Sequence, residues 1–121
     1  MLRNVFSAFS PKKLCLVADG SALIRHAARR ILRDVNFQVV EAENGIEALN
    51  RCHRCLPDVI LLEGAMPEMD GFEFLEALHQ RRTGYLPKII FCTTERNPAL
   101  ITCAIDAGAH EYVIKSFDRS I

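Results

Sequence analysis

Five short apolar runs alternate along the chain with segments whose apolar residues recur at helical spacing. The runs are Lys13–Ala18, Gln38–Ala42, Asp58–Leu62, Lys88–Cys92 and Glu111–Lys115. After the first, Ser21 suits the N-cap of a helix. Ala22, Leu23, Ala27, Ile31 and Val35 mark its apolar side, and Arg25, Arg29 and Arg33 the other. Asn44-Gly45 opens a second helix through Ala48, Leu49 and Cys52, which Pro57 ends. Phe72, Leu75 and Leu78 give a third. Pro98 opens a fourth through Leu100, Ile101 and Ile105, with Gly108 just past its end. Strands alternating with helices over short loops imply right-handed crossovers and a parallel sheet covered on both faces. Asp58–Leu62, apolar at successive positions, reads as a central strand. The crevice of such a sheet lies beyond the carboxyl ends of its strands. Asp19, Gly20, Glu63, Thr93, Thr94 and Lys115 fall there.

Length and charge narrow the function classes. The 121 residues fit one domain, half apolar and a quarter charged. Fifteen basic residues balance fifteen acidic ones, so no global field draws the chain to nucleic acid or to an anionic membrane. No apolar run approaches the length of a membrane span, and Met1–Lys13 makes a poor signal peptide. The odd number of cysteines, five, scattered through apolar segments, fits reduced core residues of a cytoplasmic protein. Cys52 and Cys55 have C-x-x-C spacing, but no second pair accompanies them, and a helix end explains them better than a metal or redox site. His26, His53, His79 and His110 sit in separate segments and form no ligand set. Arg25, Arg29, Arg30 and Arg33 read as a solvated helical face; an acidic partner or an anionic nucleotide is the lesser alternative.

Taken in order, several short motifs carry a resemblance. They are Leu16-Val-Ala-Asp19 followed by Ser21, Glu41-Ala-Glu-Asn-Gly45, Asp58-Val-Ile-Leu-Leu62, Met66-Pro-Glu-Met-Asp-Gly71, Thr93, Ala107-Gly-Ala109 and Tyr112-Val-Ile-Lys115. From about Lys13 onward the chain resembles the receiver domains of response regulators, the single-domain chemotaxis type in particular. The resemblance implies a flavodoxin-like, doubly wound sheet of five parallel strands in the order 2-1-3-4-5. It divides the chain into a leader, 1–12, and a receiver domain, 13–121. It also implies phosphoryl transfer to an acidic residue after the third strand, assisted by Mg²⁺ held by an acidic pair after the first. On that pattern Glu63 occupies the acceptor position, Asp19 and Gly20 the acidic pair, and Lys115 the phosphate-gripping lysine. Thr93 is the switch hydroxyl and Tyr112 the aromatic of the output face.

Three positions depart from the family's pattern: Gly20 replaces an acid, Glu63 replaces the acceptor aspartate, and Ser116 replaces a proline after the lysine. Loss of the acid removes a ligand from a cation that demands near-ideal octahedral geometry, leaving at most weak binding by Asp19 and Glu63. The additional methylene of Glu63 shifts its carboxylate by about 1 Å, enough to cost roughly a hundredfold in rate. The Lys115–Ser116 bond is expected to be trans, since a cis bond without proline costs about 3 kcal/mol. The expectation is an atypical receiver, without enzymatic activity or a firmly held cofactor, that binds a protein partner independently of phosphorylation. A histidine kinase, a phosphotransferase, or a motor or cell-cycle protein fits that role. Alternatives are a slow residual phosphoacceptor, a Glu63 that imitates the phosphorylated state, and a nucleotide or small-molecule sensor.

Receivers normally carry a fifth helix after the lysine loop, and the sequence reaches Ile121 where it would start. One sheet face is therefore expected to be open, as an apolar patch of several hundred Å². Leu2, Val5, Phe6 and Phe9 in the leader fall on one side of a short helix that could fill this slot. A second copy could also cover it, giving a homodimer.

Overall fold

The computed structural model describes residues 12–81, 84 and 86–115. Its elements are β1 (Lys13–Ala18), α1 (Ala22–Asp34), β2 (Phe37–Ala42), α2 (Gly45–Arg54), β3 (Val59–Glu63), α3 (Gly71–Arg81), β4 (Lys88–Thr93), α4 (Pro98–Asp106) and β5 (Glu111–Ile114). The strands form one sheet in the order β2-β1-β3-β4-β5, every neighbouring pair parallel. This is the doubly wound, flavodoxin-like order. Helix starts follow local chemistry. The Ser21 side chain accepts from the Ile24 N–H, Asn44 from Glu47, and Asn97 from Ala99 ahead of Pro98. At the far end of α4, Gly108 takes φ of +116°, and a Cβ there would strike the His79 ring.

The expected third strand, Asp58–Leu62, is displaced by one residue. Asp58 precedes the strand, with its N–H donating to Leu14 O at 2.8 Å, its carbonyl accepting from the Lys88 N–H at 3.0 Å, and its carboxylate accepting from the Leu14 N–H at 2.7 Å. Glu63 is the last residue of β3 and not the first of a loop.

The core lies on one side of the sheet. Leu16, Ile60, Leu62 and Phe91 point there and meet Leu49 and Cys52 of α2, Phe74 and Leu75 of α3, and Ala104 of α4. The other side carries α1, which packs on β1 and β2. For α1 the expected solvated arginine face fails, and the apolar stripe is exposed among the described residues. Its apolar positions are not buried: Leu23 is 75 % and Ile31 66 % exposed, and Val35, past the helix end, is 62 % exposed. Nor are its arginines a uniformly solvated face. The Nε of Arg25 and the Nε of Arg29 reach Glu41 of β2 at 3.1 and 2.6 Å, while Arg30 and Arg33 face solvent. A cross-element carboxylate selects two of the four, and helical periodicity alone cannot reveal it. The C-x-x-C spacing resolves into a buried Cys52 and an exposed Cys55. Residues 1–11 of the leader, Ser116 and the bond preceding it lie outside the described residues.

Candidate functional site

The carboxyl ends of β1, β3, β4 and β5 bring Asp19, Glu63, Thr93 and Lys115 together. Asp19 follows β1 directly and is buried; its N–H donates to Ala42 O at 3.0 Å, which fixes the backbone at the sheet edge. Its Oδ1 accepts from the Ser21 N–H at 2.8 Å. Its Oδ2 accepts from Lys115 Nζ at 2.8 Å. The same ammonium contacts Glu63 Oε2. Lys115 is steered there by its own backbone, whose N–H donates to Thr93 O at 2.7 Å. One ammonium therefore bridges two carboxylates, and the cluster retains one net negative charge.

Burial and the nearby Asp19 hold the Glu63 carboxyl above the usual carboxylate range, although the Lys115 ammonium touches it. Burial alone would lower the Lys115 pKa, but its bonds to Asp19 and Glu63 reverse the sign and raise it. Gly20 contributes no donor, yet it has room for one. A Cβ there would meet Pro67 Cδ at 3.4 Å and the Glu43 carbonyl at 3.9 Å. Among the described residues no group of three or more His, Cys, Asp or Glu side chains converges as a metal site would require. The pair Asp19 and Glu63, already bridged by an ammonium, fits an octahedral divalent cation poorly.

Thr93 is buried, and its hydroxyl accepts from the Glu95 N–H at 3.1 Å. Thr94 joins Ser21, Leu23 and Ile24 around the mouth of the crevice. Tyr112 lies away from the carboxylates; its ring stacks on Phe91 with centroids 5.8 Å apart, and its hydroxyl donates to Glu95 O at 2.9 Å. The loop after β4 thus links Thr93 to Tyr112 through the two backbone groups of Glu95.

Two residues matter here that the sequence reading did not single out as site residues. Arg25 Nη1 donates to the Asp19 carbonyl at 2.8 Å, so α1 is pinned to the crevice. The only hint was an arginine within the first turn after the Ser21 cap. Gly71 opens α3 directly beneath Glu63, where a Cβ would fall on the Glu63 carbonyl oxygen. Its hint was the Asp70-Gly71 turn.

Comparison with known proteins decides the family. The model of the response regulator receiver domain matches residues 15–120. The chain belongs to the response regulator receiver family. This receiver is 34 % identical to the chemotaxis protein CheY of Listeria monocytogenes over 103 residues, covering 84 % of this chain and 85 % of that one. It is 30 % identical to CheY of Thermotoga maritima over 109 residues, covering 89 % of each. Among solved structures, CheY4 of Vibrio cholerae superposes with a TM-score of 0.81 at 30 % identity, over 89 % of this receiver and 90 % of that chain. A CheY-like receiver from Methanospirillum hungatei gives 0.79 at 26 %, over 89 % and 85 %. A place in two-component signalling follows from the family. No helix of the described receiver is long and apolar enough to cross a membrane.

Proposed function

We propose that this receiver is a cytoplasmic protein-binding module that acts in two-component signalling without being phosphorylated and without a resident metal. The observation that carries the reading is the single Lys115 ammonium shared by Asp19 and Glu63, beside a Gly20 that supplies no acid. A divalent cation would have to displace that ammonium and would then find two protein carboxylates. Its neutralising role in phosphoryl transfer would be poorly supported. Glu63 adds a second obstacle, because its longer side chain carries the carboxylate about 1 Å past the place an aspartate would reach. The bridge also holds the crevice in one arrangement, so the surface that partners meet does not await a phosphoryl group. That surface is α4 with β5, where Tyr112 is tied to Glu95. A histidine kinase, a phosphotransferase, or a motor or cell-cycle protein is the class of partner that such a face would serve.

The test is intact-mass analysis after incubation with acetyl phosphate and Mg²⁺. The native chain is expected to gain no phosphoryl group. The Gly20→Asp/Glu63→Asp variant, for which the space beside Pro67 leaves room, is expected to gain one. Stoichiometric labelling of the native chain would overturn the reading and favour a residual phosphoacceptor. Failure of a folded double variant to label would show that these two substitutions are not what blocks the chemistry.

A further inference from the structure

On the core side of the sheet, α3 packs chiefly against α2 and α4 against β5, so a groove separates α3 from α4. Two cavities occupy it, of about 640 and about 250 Å³, and Phe72 lines both. The smaller is apolar at its base. There Phe91 meets the rings of Phe72 and Tyr112, with centroids 5.0 and 5.8 Å away, and Leu100, 38 % exposed, forms the α4 wall. The larger lies between Glu76 and His79 of α3 and Asp106 and Gly108 around the end of α4.

Charge in this groove is one-sided. Asp70, Glu76, Glu95 and Asp106 line the two cavities, with no lysine or arginine among the described lining residues. The chain as a whole is neutral, so the excess is local. Asp70 and Glu95 accept from backbone N–H groups, of Glu73 and of Arg96 and Asn97. Glu76 and Asp106 have no ion-pair partner among the described residues. Arg81, at the end of α3, turns instead to His53 of α2 at 2.6 Å. Asp106 closes α4, where the helix dipole is already negative and no basic residue of the last turn offsets it. A cation arriving there would meet two carboxylates and a helix end together.

We propose that this groove docks a basic amphipathic segment of a partner protein, an apolar side chain entering beside Leu100 and Tyr112 while lysine or arginine side chains meet Glu76 and Asp106. The proposal rests on the reading of this receiver as a protein-binding module and names the chemistry of its partner. The nine residues of α4 run about 13 Å, enough to seat roughly two turns of a helix. The sign of the charge decides against other occupants. Nucleic acid would bring phosphates to the carboxylates. A second copy pairing groove to groove would set Glu76 and Asp106 against the same acids.

A phage-displayed library of random peptides, about three helical turns long, is selected on the immobilised full-length protein. Enriched peptides are synthesised with a fluorophore, and their affinities are read by anisotropy. They are expected to carry several lysines or arginines with a leucine or aromatic anchor. Glu76→Lys/Asp106→Lys should weaken them by about tenfold or more, and Leu100→Asp likewise. Asp34→Lys/Glu43→Lys, an equal change of charge at exposed residues elsewhere, should leave affinity within about threefold. No enrichment, enrichment of acidic peptides, or equal response to the two charge reversals would overturn the proposal. So would a dimer in sedimentation that only Glu76→Lys/Asp106→Lys dissociates, which would place a second copy in the groove. Should Leu100→Asp melt early, Leu100→Ala replaces it, and selective loss of peptide binding is again the required result. Phosphoryl labelling of the native chain decides the module reading and does not touch peptide binding, so the two fail separately.

Discussion

Glu41 and Glu63 are both partly buried carboxylates touched by basic side chains, yet their affinities for a proton move in opposite directions. Burial alone would raise the Glu41 pKa; hydrogen bonds from Arg29 and Arg25 outweigh it, and the value falls. Glu63 shares one ammonium with Asp19, so burial and the second carboxylate win, and its value rises. The consequences for stability have opposite signs. A carboxyl whose folded pKa is depressed stabilises the fold above its unfolded pKa and loses that contribution as pH falls through the folded value. Glu41→Gln should therefore cost about 1–2 kcal/mol at pH 7, with the gap to the parent closing on acidification below about pH 4. For Glu63 the raised value means a penalty that develops as pH climbs from the unfolded to the folded pKa, so Glu63→Gln should leave stability at pH 7 within about 1 kcal/mol of the parent, or above it. Urea midpoints for both variants at pH 7 and pH 3.5 check the contrast. Lys115 adds an alkaline limit. With its folded pKa raised, its stabilisation is complete through neutral pH and is lost only as pH rises past the ordinary lysine value of about 10.4.

At the level of elements, the start of α3 governs the site as much as the strands do. The Gly71 N–H donates to Gly64 O at 2.9 Å, and its Cα faces the Glu63 carbonyl, so the loop after β3 closes only if this residue lacks a side chain. Gly71→Ala is expected to cost about 1–3 kcal/mol through the forced backbone shift. It should also move the Glu63 carboxylate relative to Lys115, which chemical shifts of those two side chains would detect. This dependence shows where reading from sequence stops. Strand and helix order followed from short apolar runs alternating with segments of period 3.6, and Asp19, Glu63 and Lys115 followed from lying at the carboxyl ends of those runs. Ser21 and Asn44 announced their helices by cap chemistry. What stayed hidden was contact between residues distant in sequence. Neither segment's own spacing announced that the Asp58 carboxylate would accept from the Leu14 N–H. Arg25 and Arg29 looked like solvent-facing charge until Glu41 was placed opposite them. The apolar stripe of α1 was legible as a stripe, but nothing in its own spacing could say that the described chain leaves it open.

For the molecule as a whole, the unequal burial of the two sheet faces among the described residues should appear in the energetics of adjacent residues. Leu62 is fully buried among α2, α3 and β4 side chains, so Leu62→Ala should cost about 2–5 kcal/mol, the transfer loss plus a cavity that a packed core cannot fill. Leu61 is the next residue on the same strand, with the same propensity and opposite orientation. Leu61 is only half-buried among the described residues, so Leu61→Ala should cost less, about 1–2 kcal/mol. Urea denaturation at pH 7 compares the two variants, and equal losses would mean that the two faces of β3 are equally well covered.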